Sequence, residues 1–290
     1  MERGGRIETL DFAKYEIIRS CQYGPALNAY KAFILHLERA TGRKPAVDSL
    51  RANLEIPSDV LPAVDGRDLG EAEVAAVYSR AVYPPRYPFA LQRPEIGAFL
   101  SHRAAWRRIV AEGLDFAAVF EDDAAIDPGE FSGLLAFLTQ RRIEWDYVLT
   151  PAAGMEPRGD AIVSGDRFSL VRPFAPPLRA IGQLVSRTAA QRLLTMTERF
   201  DRPVDTFLQM AWITGVPLLF AAPTPVRDVS VETGGTTVQR SRIGAIERLR
   251  HEILRPIYRA RIRSRYQKDL AKPSWRPTIS GASLRGKNDR

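Results

Sequence analysis

Residues Phe116-Ala117-Ala118-Val119-Phe120 form an unbroken apolar run that passes directly into Glu121-Asp122-Asp123. Near-continuous apolar character over so few residues is the pattern of a central strand covered on both faces, as in sheets sandwiched between helices. The run therefore sets three carboxylates at the C-terminal edge of a buried strand. In open α/β sheets that edge borders the ligand crevice.

The flanking sequence supplies the alternation such a sheet needs. Ala32 to Leu37 is a short apolar stretch ending in charge and Gly42, which suits a buried strand and a loop into a helix around Ala46 to Asn53. Val60 to Val64 stops at Asp65-Gly66, a strong turn signal. After Pro94, the residues Ile96, Phe99, Leu100, Trp106, Ile109 and Val110 fall on one face of a helix that ends at Gly113. Strands at Tyr147 to Leu149 and Gly182 to Val185, a helix from Thr188 to Thr195 and another after Val204 continue the series. The expected fold class is α/β. Residues 69–93 carry Pro84, Pro85 and Pro88 among aromatics and cannot run as one regular element. Two readings stay open for that segment: a lid near a ligand, or a surface loop anchored by its aromatics.

Three parts follow: an N-terminal extension over 1–31 with helical character around Phe12 to Ile18, a main domain over 32–235, and a basic tail over 236–290. The net charge of +8 sits in the tail, where Ser241 to Arg290 holds 14 Lys and Arg against 4 Asp and Glu. The rest of the chain is slightly acidic, which disfavours nucleic acid as a partner. Cys21 is the single cysteine, so no intrachain disulfide or multi-thiolate zinc site can form. With no apolar signal segment near Met1 and no stretch of roughly 18 apolar residues, the expected location is the cytoplasm. In the tail, Ile243, Ile246, Leu249, Ile253, Leu254, Ile257 and Tyr258 recur at spacings of three and four among arginines. This suits a helix, interrupted near Pro256, with an apolar stripe flanked by cations. The stripe either lies on the inner face of the cytoplasmic membrane or packs on the chain's own domain.

Three adjacent acids at the end of a buried strand repel one another, so they are kept either by a bound cation or by exposure to water. In extended backbone Glu121 and Asp123 face one side, a hard-oxygen site for Mn²⁺ or Mg²⁺. A solvated acidic turn, aided by Asp127 and Gly129, is the competing reading. The spacings exclude an EF-hand.

The segments Glu95-Ile96-Gly97-Ala98-Phe99-Leu100-Ser101-His102-Arg103, Trp106, and Asp115-Phe116 through Asp123 together resemble glycosyltransferase family 25, which includes bacterial lipopolysaccharide and lipooligosaccharide galactosyltransferases. Phe33 to Arg43 is similar to that family's first strand and donor loop, Leu61 to Arg67 to its second strand, and Gly182 to Leu194 to its small-residue strand and following helix. The chain departs from the family pattern at His36, where Asn is common.

The resemblance implies a GT-A type, Rossmann-like α/β/α domain with a mostly parallel central sheet. It also implies an inverting, metal-dependent transfer of a hexose, galactose from UDP-galactose by analogy, to a saccharide or lipid-linked saccharide in lipopolysaccharide or surface-glycan synthesis. Donor contacts fall to Leu35, His36, Glu38, Arg39, Arg43, Ala63, Asp65, Ser101, His102, Asp122 and Gly182, with the guanidinium groups suited to phosphate oxygens. Asp123 leads as metal ligand with Glu121 in support. Asp205 is the candidate base, Asp201 the alternative, and Asp205 could instead be a helix N-cap. Two other functions stay open: a non-catalytic sugar-nucleotide binder, and a metal-dependent phosphoryl-transfer enzyme or nuclease.

Overall fold

The computed structural model describes residues 29–141, 145–175, 178, 181–232 and 245–271. The apolar runs become strands and the periodic segments become helices. β1 (Tyr30–His36) lies between β2 (Ser58–Pro62) and β3 (Phe116–Glu121), parallel to both. Leu35 pairs with Leu61 on one side and with Glu121 on the other, so the three strands end level with one another. β4 (Ala124–Ile126) turns away from β3 and pairs antiparallel with β10 (Val226–Asp228) in a separate two-stranded sheet.

The main sheet continues with β8 (Gly182–Ser186), β5 (Tyr147–Thr150), β9 (Leu218–Ala222), β7 (Ser169–Pro173) and β6 (Gly159–Ser164), in the order β2-β1-β3-β8-β5-β9-β7-β6. β8 and β7 run against the other six strands, so the sheet is mixed but mostly of one direction.

Helices cover both faces, because alternate residues of the central strands point to opposite sides and both sets are largely apolar. On one face Phe33, Val119, Tyr147 and Val185 pack against α3 (Arg93–Ala111) and α5 (Arg187–Met196) through Phe99, Trp106, Ile109 and Leu193. On the other, Ala32, Ile34, Phe120 and Val148 meet α1 (Lys44–Ala52) and α4 (Pro128–Gln140) through Val47, Leu50, Phe131 and Leu138. This is the expected three-layer α/β/α arrangement. Asp127 caps α4 by accepting from the backbone N–H of Glu130 at 2.9 Å, so it serves that helix rather than the acidic cluster.

Several expectations change. The boundary at 31/32 falls inside β1, which begins at Tyr30; that ring stacks on Phe116, 4.9 Å between centroids, and Lys31 bonds to Asp59 and Glu112 at 3.0 Å each. The helical expectation for Phe12 to Ile18, Cys21, and the 235/236 boundary lie outside the described residues. The segment 69–93 contains a helix, α2 (Glu71–Val77), followed by irregular chain held by its aromatics. There Tyr83 donates to the Met196 carbonyl and tilts against Phe207, and Tyr87 meets Phe89 edge-on.

Two short helices, α6 (Val204–Leu208) and α7 (Ala211–Thr214), precede β9. The last helix, α8 (Ala245–Leu270), runs through Pro256 without interruption. Pro256 and Glu252, whose carbonyl the proline leaves without its helical partner, are both exposed, so water can serve that carbonyl. Tyr258, Ile262 and Tyr266 are buried against the domain, while Ile253 and Ile257 are exposed. The tail stripe is thus divided between two faces; the side chains of Ile243, Ile246 and Leu249 fall outside the described residues.

Candidate active site

The level ends of β1, β2 and β3 open onto two adjoining cavities, of about 160 and 250 Å³, that share Ala98, His102 and Glu121. The smaller is walled by Leu35, Leu37, Arg39, Arg43, Ala63 to Gly66, Ser101 and Asp122. The larger is walled by Glu95, Asp123, Leu149, Ile181, Gln183, Pro203 to Asp205, Leu208 and Leu218.

The wall of the smaller cavity is fixed by small residues. A Cβ on Gly97 would sit 2.5 Å from the Val64 carbonyl and 2.7 Å from the Gly66 nitrogen, and one on Gly66 would overlap the Arg93 carbonyl. Backbone can approach backbone there only because both residues are glycine. Ser101, one turn beyond Gly97, accepts from the Val64 N–H at 2.8 Å and donates to the Gly97 carbonyl at 2.8 Å. It is thereby a clamp on the loop after β2. Asp65 on that loop takes a backbone N–H from Arg67 at 3.0 Å and pairs with Arg39; burial raises its pKa, but these donors outweigh it and hold the carboxyl below its ordinary range.

Asp122 has both oxygens engaged. One accepts from Arg43; the other lies 3.1 Å from Nδ1 of His36. Arg43 is only 5% exposed and reaches to 3.4 Å from Asp123 as well, so its charge is offset within the cluster. Asp123 is also held from behind, its carbonyl accepting from Val229 N–H at 2.9 Å, next to the β4–β10 pair. Its Oδ1 is buried and has no hydrogen-bond partner. Burial raises the Asp123 pKa, Arg43 opposes that, and Asp122 and Asp228 add to it. Although residues 122–123 form a turn rather than extended chain, Glu121 and Asp123 do reach the same cavity, and Asp122 the other.

His102 lines both cavities, is 3% exposed, and leaves Nδ1 unpartnered. Burial lowers its pKa to about 4, so the imidazole is neutral near pH 7 and its 3.9 Å approach to Glu121 is not an ion pair.

Asp205 enters the larger cavity from the first turn of α6, accepting from Thr206 N–H at 2.6 Å. The N-cap of α6 is Pro203, so the alternative reading of Asp205 as that helix's N-cap is not met. Asp201 is the clearer correction. It is 1% exposed, is absent from the residues lining either cavity, and accepts from Val82 and Tyr83 N–H groups and from Arg202 at 2.6 to 3.0 Å. Its four donors make it an anchor for the 82–83 turn and leave it out of reach as a base.

Gly182 also has a packing role. A Cβ there would lie 2.2 Å from Thr150 Oγ1 and 3.1 Å from the Phe120 ring, and its neighbours Ile181 and Gln183 meet the cavity instead. Glu38 is exposed on the β1 loop and lines neither cavity. One residue was missed: Glu95, at the third position of α3, caps its own helix through Gln92 N–H at 2.7 Å and also lines the larger cavity. Burial raises its pKa and nearby Asp205 adds to the rise. A glutamate one residue after a proline at a helix start is a capping signal, and nothing local in the sequence marks its second role.

Residues 29–150 match the model of glycosyltransferase family 25 (LPS biosynthesis protein). This stretch is similar to glycosyltransferase family 25. The matched stretch includes Glu95, His102 and the whole acidic cluster, whereas Ile181 to Leu208, the far wall of the larger cavity, lie beyond it. Among similar proteins are the probable inactive glycosyltransferase 25 family member 3 of Bos taurus, 26% identical over 61% of this chain and 31% of its own length, and procollagen galactosyltransferase 1-A of Xenopus laevis, 26% identical over 63% and 31%. The chain spans about a third of the length of these curated relatives. Among solved structures, that of S. aureus TarS 1-349 aligns with a TM-score of 0.43 and 14% identity over 71% of this chain and 62% of that one.

Proposed function

We propose that this chain is an inverting glycosyltransferase that moves a hexose from a nucleoside diphosphate donor, UDP-galactose by family analogy, to a saccharide or lipid-linked saccharide of a surface glycan such as lipopolysaccharide. The observation that carries the reading is the pairing of two cavities across Glu121 and His102, one lined by Arg39 and Arg43, the other by Glu95, Asp123 and Asp205. The first has cations suited to a diphosphate. The second has carboxylates suited to taking a proton from a hydroxyl.

The residues fit a divalent cation. Asp123 presents a buried oxygen with no hydrogen-bond partner, and Glu121 shares its cavity. That suits Mn²⁺ or Mg²⁺, which take one or two carboxylates and complete their shell with water and phosphate oxygens. When bound, the ion supplies charge neutralisation for the departing diphosphate.

The protein's own part is division of labour. Arg43, Asp122 and His36 form a rigid base beneath the acids, Ser101 fixes the donor-side loop, and neutral His102 offers hydrogen bonding at the shared wall without adding charge. Asp205 accepts the acceptor's proton as the hydroxyl attacks the anomeric carbon from the face opposite the leaving diphosphate, with Glu95 beside it.

A thermal-shift panel of nucleotide sugars with and without Mn²⁺ tests the donor, since a ligand selective for the native state raises stability by mass action. The expected result is a shift with a UDP-hexose that grows with metal and is lost in Asp123→Ala, together with a roughly 10²-fold loss of transfer in that variant. Binding with no transfer to any acceptor extract would favour a sugar-nucleotide binder. No binding of any nucleotide sugar would sink the proposal.

A further inference from the structure

Helix α8 has two unlike faces. Tyr258, Ile262, Tyr266 and Asp269, at spacings of four, four and three, are all under 9% exposed against the domain. The Tyr258 hydroxyl accepts from Arg202 at 2.8 Å, and Tyr266 donates to the Pro173 carbonyl at 3.0 Å. At 3.6 residues per turn, Ile253, Ile257, Ala260 and Ser264 centre roughly 180° from that row. Ile253 and Ile257 are 53% and 44% exposed.

Around them stand Arg259, Arg261, Arg263, Arg265 and Lys268, all exposed and none in a hydrogen bond or ion pair among the described residues. Glu252 is the one exposed acid between His251 and Leu270. Packing accounts for the inner row and for nothing on the outer one. The charge density rules out spanning, and among the described residues no helix is long and apolar enough to cross a membrane.

We propose that α8 is a peripheral anchor that lies along an anionic bilayer surface, with Ile253 and Ile257 sunk between acyl chains and the flanking cations on lipid phosphates. A helix of 26 residues is about 39 Å long, enough to lay this face flat, and long cationic side chains reach upward from an apolar seat to the headgroups. Phe174, 49% exposed, adds an apolar ring beside the C-terminal half of the helix, where its carbonyl accepts from Gln267. Because Tyr258 is bonded to Arg202, three residues before Asp205, the anchor sits on the Asp205 side of the molecule. That side would take a lipid-linked acceptor; this last step rests on the transferase reading, and the anchoring does not.

The test is co-sedimentation of the full chain with vesicles of phosphatidylcholine, with and without phosphatidylglycerol. The chain is expected to pellet with the anionic vesicles, to be released by salt, and to ignore the neutral ones. Each cation contributes up to about 1 kcal/mol near a charged leaflet, or about fivefold, so Arg261→Gln/Arg263→Gln/Lys268→Gln together lower partition by roughly 10²-fold. Ile253→Ser/Ile257→Ser lowers it by at least roughly tenfold through lost apolar burial. All five side chains are exposed, so melting temperature is expected to hold. Equal pelleting with both lipids, wild-type partition in the triple variant, or displacement of the vesicles by a DNA duplex at equal phosphate would each overturn the proposal. None of these readouts involves sugar transfer.

Discussion

The neutral imidazole of His102 makes a quantitative prediction. Its pKa falls from an ordinary 6.5 to about 4 on burial. The unfolded chain therefore binds a proton that the native chain refuses throughout the window between those values, so stability falls as pH drops from 6.5 to 4 and is unaffected by this group above it. At 1.36 kcal/mol per pKa unit the loss is about 3 kcal/mol. Asp123 and Glu95, whose pKa values are raised, contribute with the opposite sign, losing stability as pH rises, so the wild-type curve alone is a composite. Comparing wild type with His102→Gln, each unfolded by urea from pH 4 to 8 in EDTA, removes that background. The difference should grow in the variant's favour by about 3 kcal/mol between pH 6.5 and 4, whatever the offset at pH 8. Parallel curves across this interval would refute the account of His102 as neutral through burial.

Asp205→Asn should keep donor binding and lower transfer by about 10² to 10⁴, measured as separate Kd and kcat; unchanged transfer would remove Asp205 from the chemistry. Asp201→Ala should cost about 3 to 5 kcal/mol in urea unfolding, because it strands buried Arg202; a cost under about 1 kcal/mol would mean that the pair is not an anchor. Gly97→Ala should cost about 1 to 3 kcal/mol and weaken donor binding, since its Cβ drives the helix off the Val64 to Gly66 loop. Wild-type melting and donor affinity in that variant would show that the close approach is dispensable.

Much of the fold could be read from residue order because its signals are local. The 116–120 run, the face of α3 and the Asp65-Gly66 turn each depend on neighbours within a few residues, and each element formed where expected. What escaped is long-range. An apolar run has no direction, so Gly182 to Val185 could be read as a strand but not as one antiparallel to both its partners. Three-residue β4 and β10 exist only through each other, across about 100 residues of chain, and yet the chain just after β10 holds the Asp123 backbone carbonyl. The same limit governed the site. The acids and arginines were legible by type and position, but Asp201 and Asp205 look alike in sequence. Only the neighbouring 82–83 turn and Arg202 show which one is fully bonded.

The antiparallel insertion of β8 between β3 and β5 bears on how the chain is made. Until residue 186 has been synthesised, the apolar edge of β3 has no partner on that side, because β5 pairs with β8 and β9 rather than with β3. From the end of β3 to the end of β8 is about 65 residues, several seconds of synthesis at roughly 5 to 20 residues per second. An open strand edge flanked by phenylalanines is a template for wrong pairing over that interval. Expression at lower temperature, or with a chaperone that holds extended apolar segments, would therefore act on the half that holds β1 to β3 first, well before the Asp205 wall exists.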